Sequence, residues 1–247
     1  MKKMWMMLLI ISISFLACED SVLAESEKVA LSNTQTCPYD SLANELVCSE
    51  KTYKTVVIGD QIWMAENLNF GSYLENNNSE EQYQNGGEKF CYNDKTENCD
   101  LEGGLYQWHT AMNLPTECGD GSKSCSDKVD TVNHQGLCPN DWHMPSAQEW
   151  DVLAKYLGGD DYPDQVAEKL RALSYNGKDE VGFSALGSGI REYLGYFRDR
   201  EGKTAFWMTK EENSDAAFYR GIWYGNGFLA YFSAYKKSGF SIRCLKN

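Results

Sequence analysis

The spacing of the cysteines constrains this chain more than any other feature of the sequence. Of nine cysteines, eight follow Cys18, and none of them forms the CxxC pair that zinc sites and redox motifs commonly use. Short separations predict three local bridges, which leave two cysteines to close a loop of about 100 residues. Eight cysteines permit on the order of a hundred connectivities, so the spacing favours one pairing and leaves the others open. The favoured pairs are Cys37 with Cys48, Cys91 with Cys99, Cys118 with Cys125, and Cys138 with Cys244.

The N-terminal segment predicts export. Lys2 and Lys3 precede a stretch of apolar and small residues over 4–17, which is typical of a signal peptide and too short for a stable membrane span. The tetrapeptide FLAC ends at Cys18 and resembles a bacterial lipobox, so a lipoprotein signal peptide over 1–17 and lipidation of Cys18 are expected. Cleavage after Ala24 is the alternative and would yield a soluble secreted protein. Both routes lead out of the cytoplasm, where disulfides persist.

The rest of the chain is predicted to comprise a tether and one domain. Residues 18–36 are acidic and lack aromatic side chains, which predicts a flexible tether. Residues 37–247 are enough for one sizeable domain. Loss of Lys2 and Lys3 with the signal peptide leaves 21 basic against 36 acidic residues, a formal charge of −15. Nucleic acid and anionic membrane surfaces are therefore poor partners, and membrane contact is expected only through the lipid anchor.

The first half of the domain predicts a hairpin, a loop and a helix. The stretch YKTVVIGDQIWM over 53–64 reads as two strands around a Gly-Asp turn. The Asn- and Gly-rich segment 75–89 predicts a surface loop. Apolar residues at helical spacing predict a helix over 105–114, which Pro115 would end.

The second half predicts helices followed by strands. The residues SAQE over 146–149 form a capping box, and the apolar spacing over 150–157 predicts a helix that ends at Gly158-Gly159. A further short helix is expected over 165–173. Helices before a run of antiparallel strands indicate an α+β class. The predicted strands are FSALGSGI, TAFWMT, AFYRGIWY, GFLAYFSAY and FSIRCL.

Six segments occur in a specific order along residues 52–247. They are TVVIGDQIWMAENLNF, GGLYQWHTAMNLP, GLCPNDWHMPSAQEWDVL, VGFSALGSGIRE, AFWMT and GFSIRCLKN. Together they resemble the Fibrobacter succinogenes major paralogous domain. Each segment alone is weak, but the combination is specific and covers nearly the whole predicted domain.

The resemblance implies a fold and a location. Members of that family are typically exported lipoproteins of the bacterial envelope, and the family is similar to C-type-lectin-like domains and to the formylglycine-generating-enzyme group. The implied fold is α+β and C-type-lectin-like, with two main helices and antiparallel sheets stapled by disulfides. In such a fold the first and last strands pair. A bridge between the helix region and the last strand is common there, which agrees with the Cys138–Cys244 pair.

The segment GLCPNDWHMPSAQEW raises the question of a catalytic or metal site. His143, Asp141 and Glu149 are residue types that bind zinc or act as acid–base pairs. However, the capping box already uses Glu149, and Asp141 lies in a predicted turn. The segment is therefore interpreted as a structural corner.

Enzymatic chemistry finds little support elsewhere. An oxidase like the formylglycine-generating enzyme needs two reactive cysteines in its C-terminal half, whereas only Cys244 follows Cys138. The GxSxG, Walker and HExxH motifs are absent, and His109 and His134 are interpreted as structural. A glycosidase with two carboxylates stays open, because 36 acidic residues offer many pairs. The protein is predicted not to be an enzyme, and no catalytic residue, metal or cofactor is predicted.

The loops between the late strands are the predicted binding site, because C-type-lectin-like domains bind their ligands through these loops. An aromatic ring can stack on the apolar face of a sugar while polar groups bond its hydroxyls. The alternative is that alternate residues of these strands are simply core. The candidates for ligand binding are Tyr196, Trp223, Tyr224, Asn226 and Tyr231.

Two functions are predicted for such a module. The first is a surface-exposed outer-membrane lipoprotein for adhesion or carbohydrate binding, with a polysaccharide as ligand. The second is a structural or protein-interaction lipoprotein with an envelope protein as partner. The sequence motifs of calcium lectins are absent, although the loop GGDDYPD over 158–164 offers oxygen ligands for calcium. Exposed aromatics in a row would favour the first function, and a broad apolar patch the second.

Overall fold

Short strands outnumber helices in the computed structural model, which describes residues 36–160 and 163–247. The strands are β1 (Tyr39–Asp40), β2 (Glu45–Val47), β3 (Thr52–Ile58), β4 (Gln61–Met64), β5 (Ser72–Tyr73), β6 (Glu88–Lys89), β7 (Trp142–His143), β8 (Ser188–Arg191), β9 (Phe197–Arg200), β10 (Lys203–Glu211), β11 (Ala216–Trp223), β12 (Ala230–Tyr235) and β13 (Leu245–Lys246). The α-helices are α1 (Thr96–Glu102), α2 (Trp108–Ala111), α3 (Ala147–Tyr156) and α4 (Val166–Leu170). Single 3₁₀ turns occur at Tyr92–Asp94, Thr116–Cys118, Ser126–Lys128, Pro163–Gln165 and Leu173–Tyr175.

The first sheet joins the beginning of the domain to its end. Its antiparallel strand order is β1-β2-β3-β4-β13-β7. The predicted hairpin is confirmed, because Ile58 pairs with Gln61 around a two-residue turn in which Gly59 has a φ of 61°. Leu245 pairs with Trp63 on one side and with His143 on the other. The last strand is therefore held between the hairpin and the strand that precedes α3.

The second sheet separates two hydrophobic clusters. Its order is β12-β11-β10-β8-β9, antiparallel except for the parallel β8–β10 pair. Successive side chains of a strand point to opposite faces. Accordingly, Phe206 packs 5.5 Å from Trp150 of α3, whereas Trp207 stacks 4.3 Å from Phe240 in the other cluster. The central strand β10 is thus covered on both faces.

The capping box at α3 is confirmed. Ser146 Oγ accepts the Glu149 amide at 3.3 Å, and Glu149 Oε2 accepts the Ser146 amide at 2.8 Å. Trp150 and Leu153 are buried on the inner face of the helix. The ring centroids of Trp150 and Trp63 are 4.8 Å apart, so α3 packs against β4, the second strand of the hairpin.

All four predicted disulfides are present. The local bridges staple loops of seven to eleven residues, and the fourth spans a sequence separation of 106. That fourth bridge joins the segment before β7 to the residue before β13. It therefore acts at the junction of the first sheet with the end of the chain. The bridges are Cys37–Cys48, Cys91–Cys99, Cys118–Cys125 and Cys138–Cys244.

A buried arginine holds the segment before β13. The Arg243 side chain donates to Asn67 Oδ1 at 2.7 Å and to the carbonyls of Phe183 and Ser184. Its guanidinium lies 4.5 Å from the Phe183 ring centroid. Burial lowers the pKa of Arg243 to about 9, although the negative charges of Glu66 and Asp179 act to raise it. These bonds satisfy backbone acceptors that would otherwise be buried without partners.

The expectation of a helix over 105–114 is wrong for most of its length, since only α2 is helical. Leu105 and Tyr106 instead form bridges with Phe90 and Phe240. Gly103 and Gly104 precede them, and pairing with two distant segments replaces the helical bonds that the apolar spacing predicted. Tertiary pairing has overridden the local pattern here.

Other element predictions need smaller corrections. The segment 197–200, which lies between two of the predicted strands, forms β9, which pairs with β8. The expected strand over 183–190 forms only from Ser188, and the final strand only from Leu245. The expected helix over 165–173 shortens to α4.

The segment 75–89 is not wholly a surface loop. Gln84 within it is fully buried; its backbone amide donates to Gln107 Oε1 and its own Oε1 accepts the Gln107 backbone amide, both at 2.7 Å. A polar composition did not reveal this burial, because a buried amide whose bonds are satisfied looks like a surface residue in the sequence.

The mixed α/β architecture with antiparallel sheets and four disulfides is confirmed, but the helices are few. Of the described helices only α3 reaches ten residues, so the expectation of two main helices is not met. No helix in the described ranges is long and apolar enough to cross a membrane. The predicted signal peptide over 1–17, the lipidation of Cys18 and nearly all of the tether over 18–36 lie outside the described residues.

Candidate binding groove

Aromatic side chains form a row across one face of the second sheet. Trp207, Tyr219 and Phe232 are register partners on β10, β11 and β12, so they project from the same face. Their ring centroids are 6.5 Å apart between Trp207 and Tyr219, and 6.4 Å apart between Tyr219 and Phe232. Trp207 is 1% exposed and Phe232 is 55% exposed. The row therefore runs from the core out to open surface.

Short side chains beside this row leave a groove. Ala234 lies two positions from Phe232 on the same face and lines the groove, and alanine fills little of the space above the sheet. The rings of Tyr193 and Tyr235, 4.5 Å apart, form the outer wall. The cavity has a volume of about 550 Å³, which suits a small molecule or part of a chain-like ligand.

One lysine lies in the wall of this groove. Lys203 is the register partner of Trp223, and its Nζ lies 5.2 Å from the ring centroids of Tyr219 and Trp223 and 5.9 Å from that of Phe240. These are cation–π distances. Burial lowers the pKa of Lys203, although two nearby carboxylates oppose that shift. The ammonium group supplies hydrogen-bond donors in a groove that Tyr193, Tyr219, Tyr235 and Phe240 also line.

Acceptor groups surround the opening of the groove. Glu192, Glu212, Asn213 and Asp215 all line it, and Glu192 is also paired with Arg198 at 3.2 Å. Carboxylate and amide oxygens accept bonds from hydroxyl groups. Three carboxylates on one rim repel an anionic ligand. The aromatic side chains of the groove can therefore stack on the apolar face of a sugar ring, while the oxygens at its opening bind the hydroxyl groups of that sugar.

A family assignment follows from comparison with known proteins. The model of the Fibrobacter succinogenes major domain matches residues 56–246. The chain belongs to this family. The matched residues include β4 to β13, the whole groove and the Cys138–Cys244 bridge. No curated protein and no solved structure matches the chain.

The structure of this family member separates the residues predicted to bind ligand. Trp223 contacts the groove lysine. Tyr231 lies on the opposite face of the same strands, where it stacks on Phe218 with centroids 5.0 Å apart. Tyr224 lies 6.1 Å from Tyr175 and borders a different cavity. Because successive side chains of a strand point to opposite faces of the sheet, residues that are close in sequence lie on different surfaces.

The other two candidates have local roles or lie apart. Asn226 Oδ1 accepts the Phe228 amide at 2.8 Å, and the Asn226 carbonyl accepts a bond from buried Arg171. Asn226 therefore shapes a turn. Tyr196 is 55% exposed in the connection between β8 and β9 and does not line the groove.

Sequence reasoning missed most of the groove residues. Lys203, Tyr193, Tyr219 and Tyr235 were not singled out, although the predicted strands AFYRGIWY and GFLAYFSAY contain Tyr219 and Tyr235. The pattern separates two faces of a strand but does not say which face stays uncovered. Strand register, which aligned Lys203 with Trp223, is set by distant pairing.

The corner around His143 is a hydrogen-bonded junction. His143 is buried, and its ring nitrogens lie 2.8 Å from Glu149 Oε1 and 2.6 Å from Asn247 Oδ1. Glu149 thus serves both the helix cap and His143. The side chain of Asp141 is exposed, while its carbonyl accepts the Asn247 amide. The corner links the start of α3 to the end of the chain.

Metal ligands do not converge in the part of the chain that the structure describes. No group of three or more His, Cys, Asp or Glu side chains is placed to hold an ion there. Of the loop over 158–164, residues 161–162 lie outside the described ranges, and Asp160 pairs with Lys155 at 3.3 Å.

Replacement of His143 by glutamine is expected to destabilise the fold more at about pH 5.5 than at about pH 8.5. Burial disfavours the charged imidazole, but the bonds to Glu149 and Asn247 outweigh it and raise the pKa of His143. Its stabilisation is therefore complete below the ordinary value of 6.5 and is lost as pH rises through the folded-state pKa. Hydrogen bonds to charged groups suggest a loss of about 1.5–3 kcal/mol at the lower pH, measured by urea unfolding.

His134→Gln provides a matched control for this measurement. His134 Nε2 lies 2.7 Å from the Met112 carbonyl, and burial lowers the pKa of His134. A histidine whose pKa is lowered by folding stabilises the protein above pH 6.5, and this stabilisation is lost as the pH falls below that value. The two variants should therefore show opposite pH trends. Parallel trends would contradict the role assigned to His143.

Proposed function

We propose that this protein is a non-enzymatic lipoprotein of the bacterial cell envelope that binds polysaccharide in the groove on the second sheet. The observation that carries the proposal is a cavity of about 550 Å³ with aromatic walls and a rim of acceptors. The predicted lipidation of Cys18 supports attachment to the outer membrane, with the domain exposed at the surface. Adhesion to a glycan is then the role of the module.

The groove suits a neutral sugar chain. Tyr193 and Tyr235 offer ring faces for stacking, while Asp215 and Lys203 offer acceptors and donors for hydroxyl groups. The rim carboxylates disfavour uronic acids and sulfated sugars.

Tyr235→Ala is expected to weaken glycan binding at least tenfold, a loss of about 1.4 kcal/mol. Truncation removes half of the outer aromatic wall and leaves the rim intact. The compact unit 33–247, in oxidised form, would be titrated against soluble cellulose fragments, hemicelluloses and common glycans, with and without a calcium chelator. Binding should survive the chelator, because the proposed contacts need no metal.

Tyr196→Ala is the control for that titration, since Tyr196 is equally exposed but lies outside the groove. Its affinity should match the wild type. Equal losses in both variants would contradict the groove assignment. Absence of binding to every glycan would contradict the proposed function and favour a protein ligand.

We further propose that the fold is C-type-lectin-like. Pairing of β4 with β13 and the bridge from the region before α3 to the last strand support this proposal, because both features accompany that fold. An experimental structure superposed on C-type-lectin-like domains would test it.

A protein-interaction lipoprotein of the envelope is the second candidate function. The observation that favours it is the exposure of aromatic side chains on both faces of the edge strand β12, where Tyr231, Phe232 and Tyr235 are 39%, 55% and 50% exposed. Capture of a specific envelope protein by the wild type and its loss in a β12 variant would support this function.

A further inference from the structure

The strand β12 forms an unprotected edge of the second sheet. It pairs with β11 on one side and ends the strand order on the other. Residues 226–235 contain no charge and no proline, and three large aromatic side chains of the strand are substantially exposed. Sheet edges are usually guarded by lysine, proline, a bulge or a covering element. An edge without these features is suited to pair with another strand.

Strand register shows which backbone groups of β12 face outward. The Lys236 amide bonds to the Asp215 carbonyl at 2.8 Å, next to the partners Ala216 and Tyr235. In an antiparallel ladder, alternate residues exchange both of their bonds with the same neighbour. Ala230, Phe232 and Ala234 therefore bond to β11. The intervening residues, Tyr231, Ser233 and Tyr235, direct their amides and carbonyls toward the open edge.

These outward groups lack partners in the described chain, with one exception. The Tyr235 carbonyl accepts the Ser238 amide at 2.9 Å. Solvent or another strand must satisfy the groups of Tyr231 and Ser233 and the Tyr235 amide.

We propose that two copies of this protein pair through β12, antiparallel about a twofold axis at Ser233. In that register Ser233 faces Ser233 of the second copy, and Tyr231 faces its Tyr235. The amide and carbonyl of Ser233 then bond those of its copy, and the Tyr235 amide bonds the Tyr231 carbonyl across the interface, so the two five-stranded sheets become continuous. Aromatic cross-strand pairs flank a pair of small residues, a favourable arrangement for a sheet.

Charge placement favours a second copy as the occupant. The acidic residues Glu212 and Asp215 lie near the Tyr235 end of the strand. Antiparallel pairing sets that end beside the Ala230 end of the second copy, where the Arg220–Asp151 ion pair lies next to Tyr231, so the two acidic ends do not meet. The interface consists of one short strand pair and is smaller than typical stable interfaces. Association is therefore weak and depends on concentration.

Opposite charges at position 233 provide the decisive test. Ser233→Asp and Ser233→Lys each place two like charges face to face on the twofold axis, and each should weaken dimerisation at least tenfold. Ser233 is exposed, so both variants should fold normally. Sedimentation of the oxidised unit 33–247 should show a concentration-dependent wild-type dimer and monomers for each variant. An equimolar mixture of the two variants should restore the dimer, because the facing charges are then complementary.

A second pair of variants tests the backbone bonds directly. Ser233→Pro removes an outward amide without breaking a bond to β11, and should abolish the dimer with little change in melting temperature. Ser233→Ala keeps the amide and should dimerise like the wild type.

A wild type that stays monomeric at every soluble concentration would overturn the proposal. So would charge variants that dimerise like the wild type, or a mixture that fails to associate. Tight binding of an extended foreign peptide by a monomeric wild type would assign the edge to a different partner. The test does not depend on a glycan, so its failure is distinct from failure of the proposed function.

Discussion

Replacement of both Cys138 and Cys244 by alanine is expected to lower the free energy of unfolding by about 4–5 kcal/mol. The bridge spans a sequence separation of 106, and a long loop loses more chain entropy in the unfolded state when it is closed. The loss is large compared with the total stability of a domain. Guanidinium unfolding of the oxidised unit 33–247 would measure it.

A short bridge provides the matched control. Cys91 and Cys99 are separated by only eight positions, so the corresponding double alanine variant should lose about 2.5 kcal/mol in the same chain-entropy treatment. The difference between the two variants should therefore be about 2 kcal/mol. Equal losses would contradict the idea that Cys138–Cys244 acts chiefly by restricting the unfolded chain.

Lys236→Met is expected to destabilise the fold by about 3–5 kcal/mol. Lys236 Nζ lies 2.6 Å from Glu211 Oε2, and the two side chains are 0% and 6% exposed. Burial opposes ionisation of Glu211, but the bonds to Lys236 and Ser124 outweigh it and lower the pKa of Glu211. Removal of the lysine leaves a buried carboxylate without its counter-ion.

The double variant Lys236→Met/Glu211→Leu tests whether that unpaired charge is the cause. Removal of both charges should recover part of the lost stability, because no isolated charge remains. Recovery should be incomplete, since Glu211 also accepts the amides of Cys125 and Ser126. A double variant less stable than Lys236→Met would show that the carboxylate stabilises the fold mainly through those amides. Urea unfolding of both variants at neutral pH would decide this.

Features set by neighbours in sequence were predictable. The capping box of Ser146 and Glu149, the turn at Gly59-Asp60 and the local disulfides all depend on residues a few positions apart. Their chemistry is the same in many folds, so the pattern alone is informative. The family was also predictable, because its motifs occur in a fixed order.

Features set by distant pairing were not predictable. Leu105 and Tyr106 have helical spacing but bridge to Phe90 and Phe240. The five predicted binding residues fall on different surfaces, because β11 sends Trp223 to one face and β12 sends Tyr231 to the other. A single sequence does not specify the cross-strand register that decides these faces.

The sequence by itself determined the acidic charge and the family, and it predicted the four disulfide pairs and several local signals that the structure contains. These properties depend on composition or on short spacings. Only the tertiary structure decided that Lys203, Tyr219, Tyr193 and Tyr235 share one groove, and that Ser233 faces an open edge. The reason is physical: side chains alternate every residue along a strand, so a shift of one position in pairing moves each of them to the other face.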